Sequence, residues 1–182
     1  MLDLASTLDV IAELFEYPAA GYREHLESAA AAIARTDAAA AEHVQAFADA
    51  VRGRSLSEME ELYIQTFDLN PDACLDIGWH LFGEDYARGE FLVKLRQEMR
   101  RYGIAEREEL PDSLLTVLPL AARMPEEEAA PFRARFLRPA VEKIRKAVPA
   151  ESNPYAKLLA ALAALLGGAE TGTGHPEGRE HE

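Results

Sequence analysis

The sequence predicts an all-α fold, a single multi-helix bundle, on three observations. Apolar residues recur at spacings of three and four along most of the chain, as on one face of a helix. No segment sustains the apolar–polar alternation of a strand, and β-branched residues are few. Pro, Gly and capping side chains punctuate the chain at intervals that suit helices of two to four turns. The pattern gives about eight or nine helices. A helical domain over residues 1–166 is followed by a polar, Gly-rich stretch over 167–182, expected to be a disordered tail.

Leu4, Leu8, Ile11, Leu14 and Phe15 form the stripe of the first helix, which Tyr17-Pro18 ends. Residues 21–35 are Ala-rich and read as a second. Thr36 is the expected N-cap of a third, with Asp37 in its first turn and Val44, Phe47 and Val51 on its buried face. Ser57 and Glu60 fit a capping box for the fourth, with Met59, Tyr63 and Phe67 on one face, and the turn DLNPDA breaks it. Residues 75–82 suit a short helix and Gly83-Glu84-Asp85 a turn. The next helix starts near Tyr86, with a stripe of Leu92, Leu95, Met99 and Tyr102 and a stop at Gly103.

Leu110-Pro111-Asp112 is expected to start the following helix, with Pro in the first turn. That helix is apolar over most of its circumference, hence central, and Pro119 should kink it. Pro125 with Glu126, Glu127 and Glu128 is another helix start. Pro131 and Pro139 make the helix after it irregular or split, and its polar side over 133–146 is basic. Asn153-Pro154 opens a last, Leu-rich helix that ends at Gly167-Gly168.

The 182 residues suffice for one helical core, and 48% apolar content marks a globular chain. A net charge of −13 argues against nucleic acid as a partner and against anionic membrane surfaces, and favours basic partners. The single cysteine, Cys74, excludes an internal disulfide. MLDLASTLDV lacks the basic and apolar regions of a signal peptide, and no run is long enough to insert in a membrane. A cytoplasmic protein is the expectation.

Catalytic constellations are missing from the sequence. It contains no HExxH, CxxC, GxxxxGK[ST] or GxSxG pattern. Cys74 has no basic sequence neighbour and reads as a structural thiol. His25, His43 and His80 are far apart, and no spacing suggests a metal site. Neither catalytic residues nor a metal or cofactor of its own are expected.

The positive signal lies between Ser55 and Ala87. This span has no Lys or Arg, yet carries Glu58, Glu60, Glu61, Asp68, Asp72, Asp76, Glu84 and Asp85. Trp79, His80, Phe82 and Tyr86 cluster in its later, loop-rich part. Such aromatics are either core plugs or binding anchors, and both readings stay open here. An apolar groove with an acidic rim would suit an amphipathic basic peptide.

ELYIQTFDLNP, then HLFGEDYARGEFLVKLRQEMRRYG, then ELPDSLLTVLPLAA resembles the nitrate reductase delta-subunit (NarJ-type) branch of the TorD/DmsD redox-enzyme chaperones. LFEYP and SNPYAKLLAALAALL extend the resemblance over roughly residues 8–166. It implies an all-helical, cofactor-free cytoplasmic chaperone. Members bind the apo catalytic (alpha) subunit of a molybdenum-containing reductase, typically at its N-terminal segment, hold it for molybdenum cofactor insertion, and leave. The family's central motif falls on Tyr63, Phe67 and Asp68, then Gly83, Asp85, Arg88 and Gly89, then Leu110, Pro111 and Asp112. The branch that reads twin-arginine signals has His near the last position, where Ser113 follows Asp112 here. This chain sits closer to the nitrate reductase type.

On that basis the partner-binding candidates are Tyr63, Phe67, Trp79, His80 and Tyr86 as groove residues, with Glu60, Glu61, Asp68 and Asp76 as acids beside them. Arg88 is expected to pair with Asp68 or Asp85, either as a local tie or as part of the site. Pro111 and Asp112 start a helix, or touch the peptide. Two other functions remain: a permanent structural subunit of the reductase, and a small helical metal-dependent hydrolase.

Overall fold

A computed structural model describes residues 3–167, and these form an all-α, single-domain bundle. The stretch 168–182, which holds nearly all of the expected tail, lies outside the described residues. The helices are α1 (Leu4–Leu14), α2 (Tyr22–Ile33), α3 (Ala38–Val51), α4 (Leu56–Tyr63), α5 (Ile77–Phe82), α6 (Tyr86–Arg101), α7 (Leu114–Arg123), α8 (Glu126–Phe132), α9 (Arg138–Ala147) and α10 (Tyr155–Leu165). A π-helical turn, Ile64–Asp68, extends α4, and a second, Arg133–Leu137, joins α8 to α9. With that join the ten α segments make nine continuous helices among the described residues.

The apolar α10 is the axis of the bundle. It packs against α3 on one side and α9 on the other, and touches α1. Helix α1 lies between α7 and α2, and α5 bridges α6 and α9. Leu158, Leu159 and Leu162 are fully buried there, as are Leu8, Ile11, Leu114 and Leu118 in the layer of α1 and α7. Burying side chains of this size contributes about 1.5–3 kcal/mol each, the main force holding the bundle.

Several helix starts differ from the sequence expectation. Asp37, not Thr36, caps α3, its carboxylate accepting from the Ala40 amide at 2.8 Å. Thr36 still belongs to the turn that closes α2, its amide donating to the Ile33 carbonyl. The capping box of α4 is Ser55 with Glu58, not Ser57 with Glu60, because the chain enters the helix two residues earlier. The buried stripe of α6 is Phe91, Leu95 and Met99. Phe91 replaces Leu92 because its ring fills the space between Phe82 and Phe136, at 5.2 and 5.0 Å.

Pro111-Asp112 does not start α7. The N-cap is Ser113, and the two preceding residues form a turn closed by the Ser113 amide on the Leu110 carbonyl at 3.0 Å. There they pair with the 75–77 segment: the Ile77 amide donates to the Asp112 carbonyl and the Leu114 amide to the Leu75 carbonyl, both at 2.8 Å. Pro119 lies inside α7, which runs on to Arg123, and its carbonyl accepts from Arg123 Nη1 at 2.9 Å. Between Pro131 and Pro139 the helix widens into the second π turn, the split that two prolines suggested.

Candidate functional site

The first π turn decides where the site lies. A π turn inserts one extra residue into the helical ladder, here closed by the Leu69 amide on the Ile64 carbonyl at 2.9 Å. It is held from within by Thr66, whose hydroxyl donates to the Leu62 carbonyl and accepts from Asn153 Nδ2. The wider turn sends Tyr63 and Phe67 inward and leaves Asp68 and Leu69 at the surface. The two rings meet at 5.2 Å and continue an aromatic column. Tyr17 meets Tyr63 edge-on at 5.4 Å at the outer end, and Phe67 meets Tyr155 at 4.8 Å in the core.

Tyr63 and Phe67 are thus core plugs that also form part of a wall. Tyr63 is 6% exposed and Phe67 2%, whereas Tyr17 is 47% exposed. Around their outer edges opens a hollow of about 450 Å3, bordered by Tyr17, Asp68, Cys74, Asp76, Glu109 and Ser113. Three carboxylates therefore reach one concave, aromatic-sided space. Arg107 partly offsets Glu109 at 3.2 Å while also bonding Glu16 at 2.9 Å. Desolvation raises the pKa of Asp68, and of Asp76, where the nearby Asp112 charge adds to it. Burial, with the Glu60 and Asp68 charges, raises the Tyr17 phenol, so its hydroxyl stays protonated.

Behind the hollow sits a charged latch. Arg88 Nε donates to Asp112 Oδ2 at 3.0 Å and Nη2 to Asp76 Oδ2 at 3.3 Å. Arg88 therefore pairs with neither Asp68 nor Asp85. Asp85 instead caps α6 through the Ala87 amide, and Asp68 faces outward from the π turn. The guanidinium lies 5.9 Å from the Trp79 ring, a cation–π contact. Burial lowers the Arg88 pKa, but the hydrogen bond and charge of Asp112 and the charge of Asp76 outweigh it, so the net shift is upward. Asp112 is fully buried beside Gly78, where a Cβ would come within 2.3 Å of its Oδ2. The latch ties α5, α6 and the 110–113 segment together and fixes Asp76 at the edge of the hollow.

The other candidates stand elsewhere. Pro111 and Asp112 are buried and do not line the hollow. His80 Nε2 lies 2.7 Å from the Cys74 carbonyl, and burial lowers its pKa, so the ring is neutral. Lys143 Nζ donates to the His80 carbonyl at 2.6 Å. Trp79 is half-buried against Arg88, while Tyr86 is 83% exposed at the start of α6, apart from the hollow. Glu61 bonds Gln65 at 2.9 Å on the outer side of α4, and Glu60 acts on the hollow only through its charge on Tyr17. Much of the basic α8–α9 surface is spent internally, Arg133 on Glu126 and Arg138 on the Leu166 carbonyl.

Several members of the hollow escaped the sequence reading, Tyr17 and Glu109 among them. These two had a signal: Tyr17 belongs to LFEYP, and Glu109 ends the acidic run just before the LPD motif. Among the described residues no group of three or more His, Cys, Asp or Glu could hold a metal ion, and no helix is long and apolar enough to cross a membrane.

The fold and the hollow together define an all-helical bundle with an acidic, aromatic-walled recess on its surface. Residues 33–161 match the family model described as nitrate reductase delta subunit, and the chain belongs to that family. The search of curated proteins gives no match.

Proposed function

We propose that this protein is an assembly chaperone for a molybdenum-containing reductase of the nitrate reductase type. It receives the basic N-terminal segment of the apo catalytic subunit in the hollow, keeps that subunit competent for molybdenum cofactor insertion, and then departs. It performs no catalysis and holds no cofactor of its own, and it works in the cytoplasm.

The observation that carries this reading is the convergence of Asp68, Asp76 and Glu109 on a space walled by Tyr17 and Tyr63. A Lys or Arg side chain entering there meets carboxylates at its head and ring faces along its stem. Exposed Leu69 and Leu110, each adjacent in sequence to one of those acids, offer apolar contact to the neighbouring residues of the segment. An amphipathic basic peptide satisfies both chemistries, and the net charge of −13 speeds its capture.

Calorimetry of the full chain with a synthetic N-terminal peptide of the nitrate reductase catalytic subunit tests the proposal. Saturable binding that intact apo subunit displaces is expected. Absence of binding would remove the peptide-receiving role, and stoichiometric retention in the active, purified reductase would replace departure with permanent membership.

A further inference from the structure

Two arginines bond carboxylates of the hollow, and they are held differently. Arg88 is fixed: its Nε donates to the fully buried Asp112 at 3.0 Å, and its side chain is 19% exposed. Arg107 is at the surface. Its side chain is 38% exposed, and both of its partners are surface carboxylates, Glu109 on the border of the hollow and Glu16 next to Tyr17 in sequence. The two bonds use different nitrogens. Nη2 donates to Glu16 Oε1 at 2.9 Å, and Nε donates to Glu109 Oε2 at 3.2 Å. Giving up the longer bond to Glu109 leaves Arg107 tied by the shorter one, so the exchange strands no charge.

The backbone permits that exchange. Arg107 lies on a stretch, Ile104 to Leu110, that belongs to no helix, and from Ala105 onward its residues are exposed. Among the described residues, 105–109 make no backbone–backbone hydrogen bond. Side chains tie the stretch instead, Arg107 to Glu16 and Arg96 to Glu106 at 3.8 Å. The acids of the hollow differ in how they are occupied. Asp68 forms no ion pair among the described residues, Asp76 is shared with Arg88, and Glu109 is shared with Arg107. A first client cation therefore takes Asp68 unopposed, and a second must take Glu109 from Arg107. The sites are close: burial raises the pKa of the Tyr63 phenol, and the charges of Asp68, Glu109 and Glu16 all add to that shift.

We infer that Arg107 is a built-in competitor for the client. It holds Glu109 in the empty protein and yields that carboxylate to an entering Lys or Arg. It stays tethered to Glu16 meanwhile, and takes Glu109 back as the client leaves. This rests on the hollow being where the client's basic segment binds, and it supplies the means of release. A competitor tethered within reach keeps a high effective concentration that dilution does not lower. It shortens the client's stay without slowing its arrival, because Asp68 is open to the first cation and most tuning of affinity falls on the dissociation rate.

The test measures dissociation of the full chain from the immobilised synthetic N-terminal peptide of the nitrate reductase catalytic subunit. Arg107→Gln should dissociate about threefold more slowly, the scale of one exposed ion pair. In the Glu109→Gln background the same change should have no effect, because the competitor has nothing to reclaim. Arg52→Gln, which removes a positive charge on α3 outside the hollow, should leave dissociation unchanged. A second readout follows the Arg107 Nε–H signal by nitrogen-15 NMR. Glu109→Gln should move it in the peptide-free chain, and peptide added to the wild type should move it in the same direction. Unaltered dissociation in Arg107→Gln, equal slowing in the Glu109→Gln background or in Arg52→Gln, or an Arg107 signal that bound peptide leaves in place would each overturn the inference while the peptide site stands. Absence of any binding would remove the peptide site and the inference together.

Discussion

Arg88 answers two carboxylates that would otherwise face each other, Asp76 at the edge of the hollow and Asp112 in the interior. Removing the cation by Arg88→Met would strand the buried Asp112, whose Oδ1 already has no partner among the described residues. The expected cost is about 3 kcal/mol, read as a lower midpoint in urea unfolding. Gly78→Ala should also destabilise, because its Cβ would collide with the same carboxylate. The two losses should be non-additive, since both act on one side chain. His80 makes a separate, pH-dependent contribution. Its folded pKa lies below the ordinary 6.5, so the unfolded chain takes up the proton first as the pH drops. Stability should therefore fall as the pH falls below 6.5 toward the folded value. Thermal melts of the wild type and His80→Gln between pH 7.5 and 5 (a range set by the ordinary imidazole value) check this, and the variant should show the shallower decline. The sequence showed that Arg88 sat in an acidic setting but not its partners. Asp112 is 24 residues away along the chain, and only the 110–113 turn, paired to the 75–77 segment, brings it near.

At the scale of elements, the all-helical pattern and most helix ends were legible because Pro, Gly and caps act locally. The departures came where tertiary contacts overrode local preference. Pro111-Asp112 has the residues of a helix start, yet backbone pairing to the 75–77 segment holds it in a turn ahead of α7. The π turn Ile64–Asp68 was invisible for a different reason: its extra residue leaves no signature in composition, and Tyr63 and Phe67 share a face in either geometry. That turn nevertheless sets the hollow, since it places Asp68 at the rim while both rings stay inside. Deleting the exposed Gln65 should restore α-helical spacing and rotate Asp68 by roughly 100°, the angle of one residue. Helix content by far-UV circular dichroism should persist, while affinity for the client peptide falls about tenfold. Unchanged affinity would mean that the π turn is not what positions the acid. The capping box offers a control remote from the hollow: Ser55→Ala should cost about 1 kcal/mol in unfolding without altering peptide affinity.

For the whole molecule, the net charge of −13 and the three acids of the hollow act on different parts of the same encounter. The overall field draws a cationic segment in over distances up to the screening length, about 8–10 Å at physiological salt, and so governs the association rate. The hollow's own carboxylates lie in direct reach of the bound side chain and govern how long it stays. Raising the salt concentration should therefore slow association strongly and dissociation little. Asp68→Asn/Glu109→Gln removes two charges at the contact itself, so it should raise the dissociation rate several-fold, within the roughly 1–3 kcal/mol of a charge-assisted bond, and leave a salt-dependent association rate behind. Acidification provides the matching titration. Asp68 and Asp76 have folded pKa values above the ordinary 3.8, so they lose charge earlier than exposed carboxylates as the pH falls. A peptide that binds them must hold their protons off, so affinity should drop on the acid side, beginning above pH 3.8, and this drop should be smaller in Asp68→Asn. Surface-immobilised peptide with the chain flowed over it, measured across salt and then across pH, separates these rates. A hollow that holds the peptide by charge gives a dissociation rate sensitive to Asp68 and to pH. A surface that merely attracts it gives an association rate sensitive to salt and nothing more.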